Sequence, residues 1–318
     1  MTVAQPAATA GVRGITLDAD GITLSGLLAL PSQAPCRAMV VALHGAGMSS
    51  SYFHGPSHPD TSFLDLATSL GFAAVAVDRP GYGLSARQLP QGQGIAEQAA
   101  TLSAALRFLT ARFDTGSGIF LLAHSFGGKP ALRMAADGMA PELLGLDISG
   151  CGGEYAVPLS AGDTHGRRSW RLNWGPLRLY PPGTFRASGS VVASIPLREL
   201  ADAVRWTQEF AGFAERIRVP VRFTFAEHEA WWQHDQQAVA RLRSRLSSAP
   251  RVVTDHQPDA GHNISLGWTA RAYHLRALGF VEECLQWRES EAAGSPGPPA
   301  PDRTDDPIRL TRGKQDRT

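Results

Sequence analysis

Short apolar runs alternate with longer segments of helical spacing along most of the chain. The run at residues 39–43 is typical of a strand buried on both faces, and those at 72–77 and 119–123 also indicate buried strands. Residues 143–148, 219–225 and 252–255 are further candidate strands. Helical spacing marks residues 63–70, 94–113 and 268–287. Strands that alternate with helices predict a mostly parallel sheet that is covered by helices on both faces.

Three regions depart from this alternation. Residues 14–30 alternate apolar and polar positions around Asp20-Gly21, which predicts a β-hairpin. Residues 152–192 have no clear period and residues 197–217 have helical spacing, so we interpret 152–217 as a cap inserted after the sixth strand. The core then comprises residues 14–151 and 218–288. The termini, 1–13 and 289–318, contain few apolar residues and are predicted to be flexible.

Composition narrows the classes of partner. The 318 residues include 30 basic and 29 acidic ones, so no strong field favours nucleic acid. No apolar run is long enough to span a membrane, and the N-terminus shows no signal peptide. Three widely spaced cysteines indicate reduced thiols, which favours a cytoplasmic protein. The oligomeric state cannot be inferred from these features.

The segment around Ser125 predicts a nucleophile. A buried strand ends at this serine, and two glycines and a run of helix-forming residues follow it. A serine at a sharp turn between a strand and a helix is exposed above the sheet edge, where the helix N-terminus favours a developing oxyanion. Ala123 stands where the G-x-S-x-G motif has its first glycine, and its single methyl group still fits a tight turn.

A serine nucleophile needs a base and a group that orients the base. His262 follows the last predicted strand, in a loop that begins with a glycine, and is the candidate base. Glu227 and Glu229 both follow the preceding strand and both qualify as the acid. Asp235 is a more distant candidate for the same role.

An oxyanion hole needs two backbone donors. The residue after the nucleophile, Phe126, supplies one N–H group. Ala46 is the candidate for the second, because it follows the glycine that turns the chain after an early strand. His44, in the same loop, is interpreted as a hydrogen-bonding residue that fixes the loop, since one histidine suffices as base.

Four motifs in this order resemble those of the α/β-hydrolase superfamily. They are His44-Gly45-Ala46-Gly47, the segment from Asp78 to Ser85, the segment from Ala123 to Gly128, and Gly261-His262. The resemblance covers residues 14–287 and implies an α/β-hydrolase fold with a Ser–His–acid triad. It favours Glu229 over Glu227 as the acid, because of the offset of Glu229 after its strand. It also implies that the Asp78-Arg79-Pro80-Gly81 segment is structural.

These features predict a serine hydrolase that cleaves a carboxylic ester or thioester through an acyl-enzyme, without cofactor or metal. An acyltransferase or cyclase that uses the same triad is an alternative, and so is a binding protein that has lost catalysis. Five cap arginines favour either an anionic substrate or a solvated surface: Arg167, Arg168, Arg171, Arg178 and Arg186. Three further polar residues, His54, His58 and Asp60, are interpreted as loop residues, not as metal ligands.

Overall fold

The fold is built on one mostly parallel β-sheet. The computed structural model describes residues 11–32, 35–55, 57–159 and 167–292. Within these residues the sheet has eight strands. They are β1 (Arg13–Ala19), β2 (Ile22–Ala29), β3 (Met39–Leu43), β4 (Ala73–Val77), β5 (Ile119–His124), β6 (Leu143–Ser149), β7 (Val221–His228) and β8 (Val252–Gly261).

Helices connect most of the parallel strands. The described residues contain α1 (Phe63–Ser69), α2 (Ile95–Arg112), α3 (Gly128–Ala136), α4 (Arg167–Trp174), α5 (Leu197–Ala211), α6 (Gln236–Arg245) and α7 (Ala270–Ala292). Side-chain caps fix two of their starts. The Ser62 hydroxyl accepts from the Asp65 N–H at α1, and the Asp235 carboxylate accepts from the Ala238 N–H at α6. None of the helices in the described residues combines the length and apolar character needed to cross a membrane.

The order of the strands places the site. They lie in the order β1-β2-β4-β3-β5-β6-β7-β8, and every pairing from β4 to β8 is parallel. From β3 the chain moves to β4 on one side, and β5 then lies on the other side of β3. The loops after β3 and β5 therefore diverge at a point where the strand order reverses, and such points open a crevice at the carboxyl ends of the strands.

Apolar side chains cover both faces of the sheet. In β3, Met39, Val41 and Leu43 belong to one buried cluster, whereas Val40 and Ala42 belong to the other. Helices α2, α3 and α5 contribute to the first cluster, and α1 and α7 contribute to the second. Burial on both faces explains the continuous apolar runs in the sequence.

The predicted elements are present with shifted ends. Strand β8 extends to Gly261 instead of ending near residue 255, and α7 continues to Ala292, past the start of the predicted flexible terminus. Helix α4 lies in the segment expected to be irregular, and α6 was not predicted at all. Residues 152–217 lie between β6 and β7, after the sixth strand. Their division from the core as a cap stays a prediction, and residues 1–10 and 293–318 lie outside the described part.

Candidate active site

Ser125 lies at the turn between β5 and α3. Its φ of 51° is in the left-handed region, which a residue with a side chain rarely adopts. The neighbouring packing holds this turn, because a Cβ at Gly127 would lie 2.5 Å from the carbonyl oxygens of Leu43 and His44. Strain of this kind costs about 1–3 kcal/mol and is typical of functional sites. The predicted strand–turn–helix geometry at Ser125 is present.

Two hydrogen bonds connect Ser125 with a carboxylate through His262. The His262 Nε2 atom lies 3.0 Å from Ser125 Oγ, and His262 Nδ1 lies 2.7 Å from Glu229 Oε2. A carboxylate can only accept here, so Nδ1 carries a proton and Nε2 of the neutral ring can accept from the serine hydroxyl. Both His262 and Glu229 are buried. The arrangement suits proton transfer from a hydroxyl to an imidazole that a carboxylate holds in orientation.

The two candidate glutamates have different surroundings. Glu229 is buried, and its second oxygen, Oε1, accepts from the Trp231 N–H at 2.9 Å. Glu227 is exposed and accepts from the Asp259 N–H at 2.8 Å. The structure therefore brings Glu229 to His262 and leaves Glu227 on the surface. Asp235 caps α6 and is also outside the group. The catalytic roles themselves stay predictions.

The two predicted oxyanion donors belong to loops that meet at Ser125. Ala46 and Phe126 line the same cavity as the serine. The loop after β3 comes close to the nucleophile, since a Cβ at Gly45 would lie 3.0 Å from the Ser125 Cβ. Phe126 is in the first turn of the helical segment that follows β5, where backbone N–H groups lack an intrahelical acceptor. Both residues thus lie beside the candidate nucleophile, and their role as oxyanion donors stays a prediction.

Arg79 fixes the loop that carries Ala46. Its backbone N–H donates to His44 Nε2 at 3.1 Å, and its side chain donates to the carbonyl oxygens of His44 and Gly45 at 2.6 and 3.1 Å. His44 Nδ1 lies 2.8 Å from the Gly45 carbonyl oxygen. Burial, followed by the charge of Arg79, holds the pKa of His44 well below its usual range. Both ring nitrogens of His44 thus contact the backbone of this region, and the interpretation of His44 as a residue that fixes the loop stays a prediction.

A cavity of about 100 Å³ opens beside Ser125. Residues of the sheet region and residues between β6 and β7 both line it. Asn173 of α4 connects these two parts, because its carbonyl oxygen accepts from the Asn263 side chain at 3.1 Å and its side chain accepts from Trp231 Nε1 at 2.9 Å. The wall residues from this segment are Tyr155, Leu159, Ser169, Asn173, Ile195, Glu199, Leu200 and Ala203.

Most of the sequence matches one family description. Residues 40–305 match the Alpha/beta hydrolase family. The chain belongs to this family. A search of the curated proteins found no match.

Solved structures of other α/β-hydrolases have the same fold at low identity. A thermostable carboxyl esterase from Bacillus coagulans superposes with a TM-score of 0.64 at 17% identity, over 87% of this chain and 100% of that one. A lipase in an open form gives 0.62 at 18% identity, over 86% and 99%. A thioesterase domain from the curacin biosynthetic pathway gives 0.58 at 13% identity, over 84% and 99%. At these identities, each match shows that this α/β-hydrolase has a similar fold and nothing more.

Three of the five arginines predicted for the cap lie at the surface, outside the cavity of this α/β-hydrolase. Arg171, Arg178 and Arg186 are exposed, and none of them is among its lining residues. Their positions favour the interpretation as a solvated surface over that of an anion clamp. Arg167 and Arg168 begin α4, and their side chains lie outside the described part.

A cation that was not predicted from the sequence, Lys129, lines the cavity of this α/β-hydrolase. Lys129, in the second position of α3, is buried and lines the cavity. A signal was present: of 30 basic residues only Lys129 and Lys314 are lysines, and Lys129 stands in a helix that is otherwise mostly apolar. Trp231 and Trp232, in the loop that carries Glu229, also line the cavity. The sequence alone did not separate a role in lining a pocket from a role in packing.

The loop that holds His54, His58 and Asp60 uses these side chains locally. His54 Nδ1 lies 2.8 Å from the Ser62 hydroxyl, and His58 Nδ1 accepts from the Asp60 N–H at 3.2 Å. Across the part of the chain that the structure describes, no group of three or more His, Cys, Asp or Glu residues could hold a metal ion.

Proposed function

We propose that this α/β-hydrolase is a serine hydrolase that cleaves a carboxylic ester or thioester through an acyl-enzyme intermediate. The observation that carries the proposal is the continuous chain of hydrogen bonds from Ser125 through His262 to Glu229, at the edge of a cavity. Ester or thioester chemistry is also supported by the esterase, lipase and thioesterase that share the fold. We retain the cytoplasmic location as a prediction.

The first half of the reaction forms the acyl-enzyme. Ser125 Oγ attacks the carbonyl carbon while His262 Nε2 takes the hydroxyl proton. Glu229 accepts a hydrogen bond from His262 Nδ1 and stabilises the imidazolium that forms. The N–H groups of Ala46 and Phe126 bind the negative oxygen of the tetrahedral intermediate, and losing one such donor costs about 3 kcal/mol. The intermediate then collapses, and His262 protonates the leaving alcohol or thiol.

The second half releases the acid. His262 removes a proton from water, and the resulting nucleophile attacks the acyl carbon bound to Ser125 Oγ. The same two N–H groups bind the second oxyanion. Collapse of this intermediate returns the proton from His262 to Ser125 and frees the carboxylic acid. No cofactor takes part in this scheme.

A fluorophosphonate probe tests the nucleophile directly. The probe phosphonylates an activated serine, so we expect one label on Ser125, found by peptide mass spectrometry. Labelling should disappear in Ser125→Ala and slow by more than about 10³-fold in His262→Ala, since the base generates the nucleophile.

The matched control is Ser149→Ala. Ser149 lies at the end of β6 and is fully buried beside His124, so it should take no label and its loss should leave labelling of Ser125 in place. A folded wild-type protein that never labels, with no turnover of p-nitrophenyl esters or acyl-thioesters, would contradict the proposal and favour a binding protein.

A further inference from the structure

Lys129 is a buried amine beside the candidate nucleophile. It lies four residues after Ser125, about one helical turn away, and both residues line the same cavity. The residue is 2% exposed, and Nζ donates to the Tyr155 hydroxyl at 2.7 Å. It is the one lysine in the described part of the chain, since Lys314 lies outside it. The proposed triad makes no use of it.

Aromatic rings surround the ammonium group. Four ring centroids lie 4.6 to 5.8 Å from Nζ, within the range of a cation–π interaction. Such rings stabilise a positive charge, and they exclude the water that would otherwise solvate it. The rings belong to Phe126, Tyr155, Trp206 and Trp232.

No carboxylate among the described residues pairs with Lys129. Burial lowers the pKa of Lys129 to about 8, and it outweighs the opposing charges of three acids on α5. Each acid is already engaged by an arginine, Arg79 or Arg205. These acids are Glu199, Asp202 and Glu209. Lys129 therefore retains donors that can meet a group inside the cavity.

We propose that the substrate of this site carries a carboxylate close to the scissile carbonyl, and that Lys129 binds this carboxylate. The inference rests on the proposed function. Lys129 is the one lysine or arginine among the described residues that line the cavity. A single ammonium matches a single negative charge, whereas phosphate sites usually combine arginines with several backbone donors. The ligand class is thus a half-ester or half-thioester of a dicarboxylic acid, or a hydroxy acid whose hydroxyl group is acylated and whose carboxylate is free.

Matched substrate pairs test the preference. Monoethyl glutarate and ethyl valerate have acyl chains of five carbons and differ in a terminal carboxylate. O-butyrylglycolate and ethyl butyrate differ in the same way on the alcohol side. We expect the wild-type protein to prefer the charged member of one pair, and that pair identifies the side on which the carboxylate lies. The quantity to measure is the ratio of kcat/KM within each pair.

The variant Lys129→Met keeps the length of the side chain and removes the charge. We expect it to lower the charged-to-neutral ratio about 10- to 100-fold, the range of a charge-assisted hydrogen bond. Lys129→Arg should restore part of the ratio. The control Arg171→Met removes an exposed cap cation and should leave the ratio as in the wild type. The inference is overturned if the wild type prefers the neutral member of both pairs. It is also overturned if Lys129→Met leaves the charged-to-neutral ratio unchanged.

A binding measurement separates this inference from the proposed chemistry. With lysine labelled at ¹³Cε, the spectrum contains two lysine signals, and Lys129→Met identifies the one from Lys129. In Ser125→Ala, saturating glutarate should shift this signal and raise its titration midpoint, and valeramide should do neither. A response to glutarate without fluorophosphonate labelling of the wild type refutes the hydrolase and keeps the carboxylate site. Normal labelling with a silent Lys129 refutes the carboxylate site alone.

Discussion

Glu227 and Glu229 lie two positions apart at the end of β7 and differ in burial. Alternation along a strand places residues i and i+2 on one face, so the sequence alone left both candidates open. The pairing of β7 with β8 shifts between Ala226 and His228, and this irregularity falls between the regular strand and Glu229. A local shift of register cannot be inferred from side-chain periodicity, which explains why the offset in related proteins was needed to favour Glu229.

The first prediction concerns this pair. Glu229→Gln replaces an acceptor by a group that can donate to His262 Nδ1, so the ring is held in the wrong tautomer. We expect kcat to fall about 10³- to 10⁴-fold, as in comparable triads. Glu227→Gln is the matched control, and it should keep kcat within about threefold because the group is exposed. Steady-state kinetics on one p-nitrophenyl ester decides between them, and the reverse pattern would assign the acid to Glu227.

The second prediction concerns stability against pH at Lys129. Its pKa is about 8 in the folded protein, because of burial, and about 10.4 in an unfolded chain. Between these values the unfolded state binds more protons, so the free energy of unfolding rises with pH across this window. The destabilisation by Lys129 is fully present below pH 8 and is lost as the pH approaches 10.4.

Comparison with Lys129→Met isolates this effect, since other titrating groups are common to both proteins. Urea unfolding of the two proteins at pH 7.5 and pH 10 should show a change of about 2 kcal/mol in their stability difference, in favour of the wild type at high pH. A stability difference that is the same at both pH values would show that Lys129 titrates normally.

At the scale of elements, helix α5 is connected to the loop that carries Ala46. Glu199 of α5 pairs with Arg79, and both side chains are fully buried. Glu199 also accepts from the Tyr82 hydroxyl at 2.7 Å, and that hydroxyl accepts from the Gly47 N–H at 3.0 Å. A network of hydrogen bonds and one ion pair thus extends from α5 to the proposed oxyanion hole. The contacts of Arg79 in this network fit the structural role that was expected for its motif.

The third prediction tests this network. Glu199→Gln leaves the buried Arg79 guanidinium without a counter-charge, so the free energy of unfolding should fall by about 3–5 kcal/mol. Glu97→Gln breaks a pair with Arg198 that also joins α2 to α5 but is about half exposed, and it should cost less than about 1 kcal/mol. Chemical denaturation of both variants provides the test. Equal losses would indicate that Arg79 is solvated.

The elements that the sequence missed have few buried apolar residues. Helix α6 buries only Ala238 and Leu242, and α4 has the sequence Arg-Arg-Ser-Trp-Arg-Leu-Asn-Trp. Neither provides the apolar stripe on which a periodic pattern depends. The buried strands β3 to β6 were predictable because both of their faces are covered, so that most of their positions are apolar. The active-site motifs were predictable because turn geometry restricts them to glycine and other small residues.

At the scale of the whole molecule, the segment between β6 and β7 is not a detached lid. Trp206 and Phe210 of α5 are fully buried and belong to the same cluster as Phe223 of β7. Trp206 Nε1 also donates at 2.8 Å to the carbonyl oxygen of Gly152, at the point where the segment leaves the core. Helix α4, in contrast, places Trp170 at the surface with 43% of its area exposed. Because α5 buries large side chains in the main core, we expect α5 to unfold together with the core, although residues 152–217 were predicted as a separate cap.

The fourth prediction follows from this packing. Trp206→Ala opens a cavity in the main core and should lower the free energy of unfolding by about 3–5 kcal/mol, whereas Trp170→Ala in the same insertion should cost less than about 1 kcal/mol. Unfolding should remain a single transition in both variants. Amide hydrogen exchange checks the same point without substitution, because α5 should exchange as slowly as β5 if it opens only in global unfolding. Fast exchange of α5 beside a protected β5 would instead show that the whole insertion opens as an independent cap.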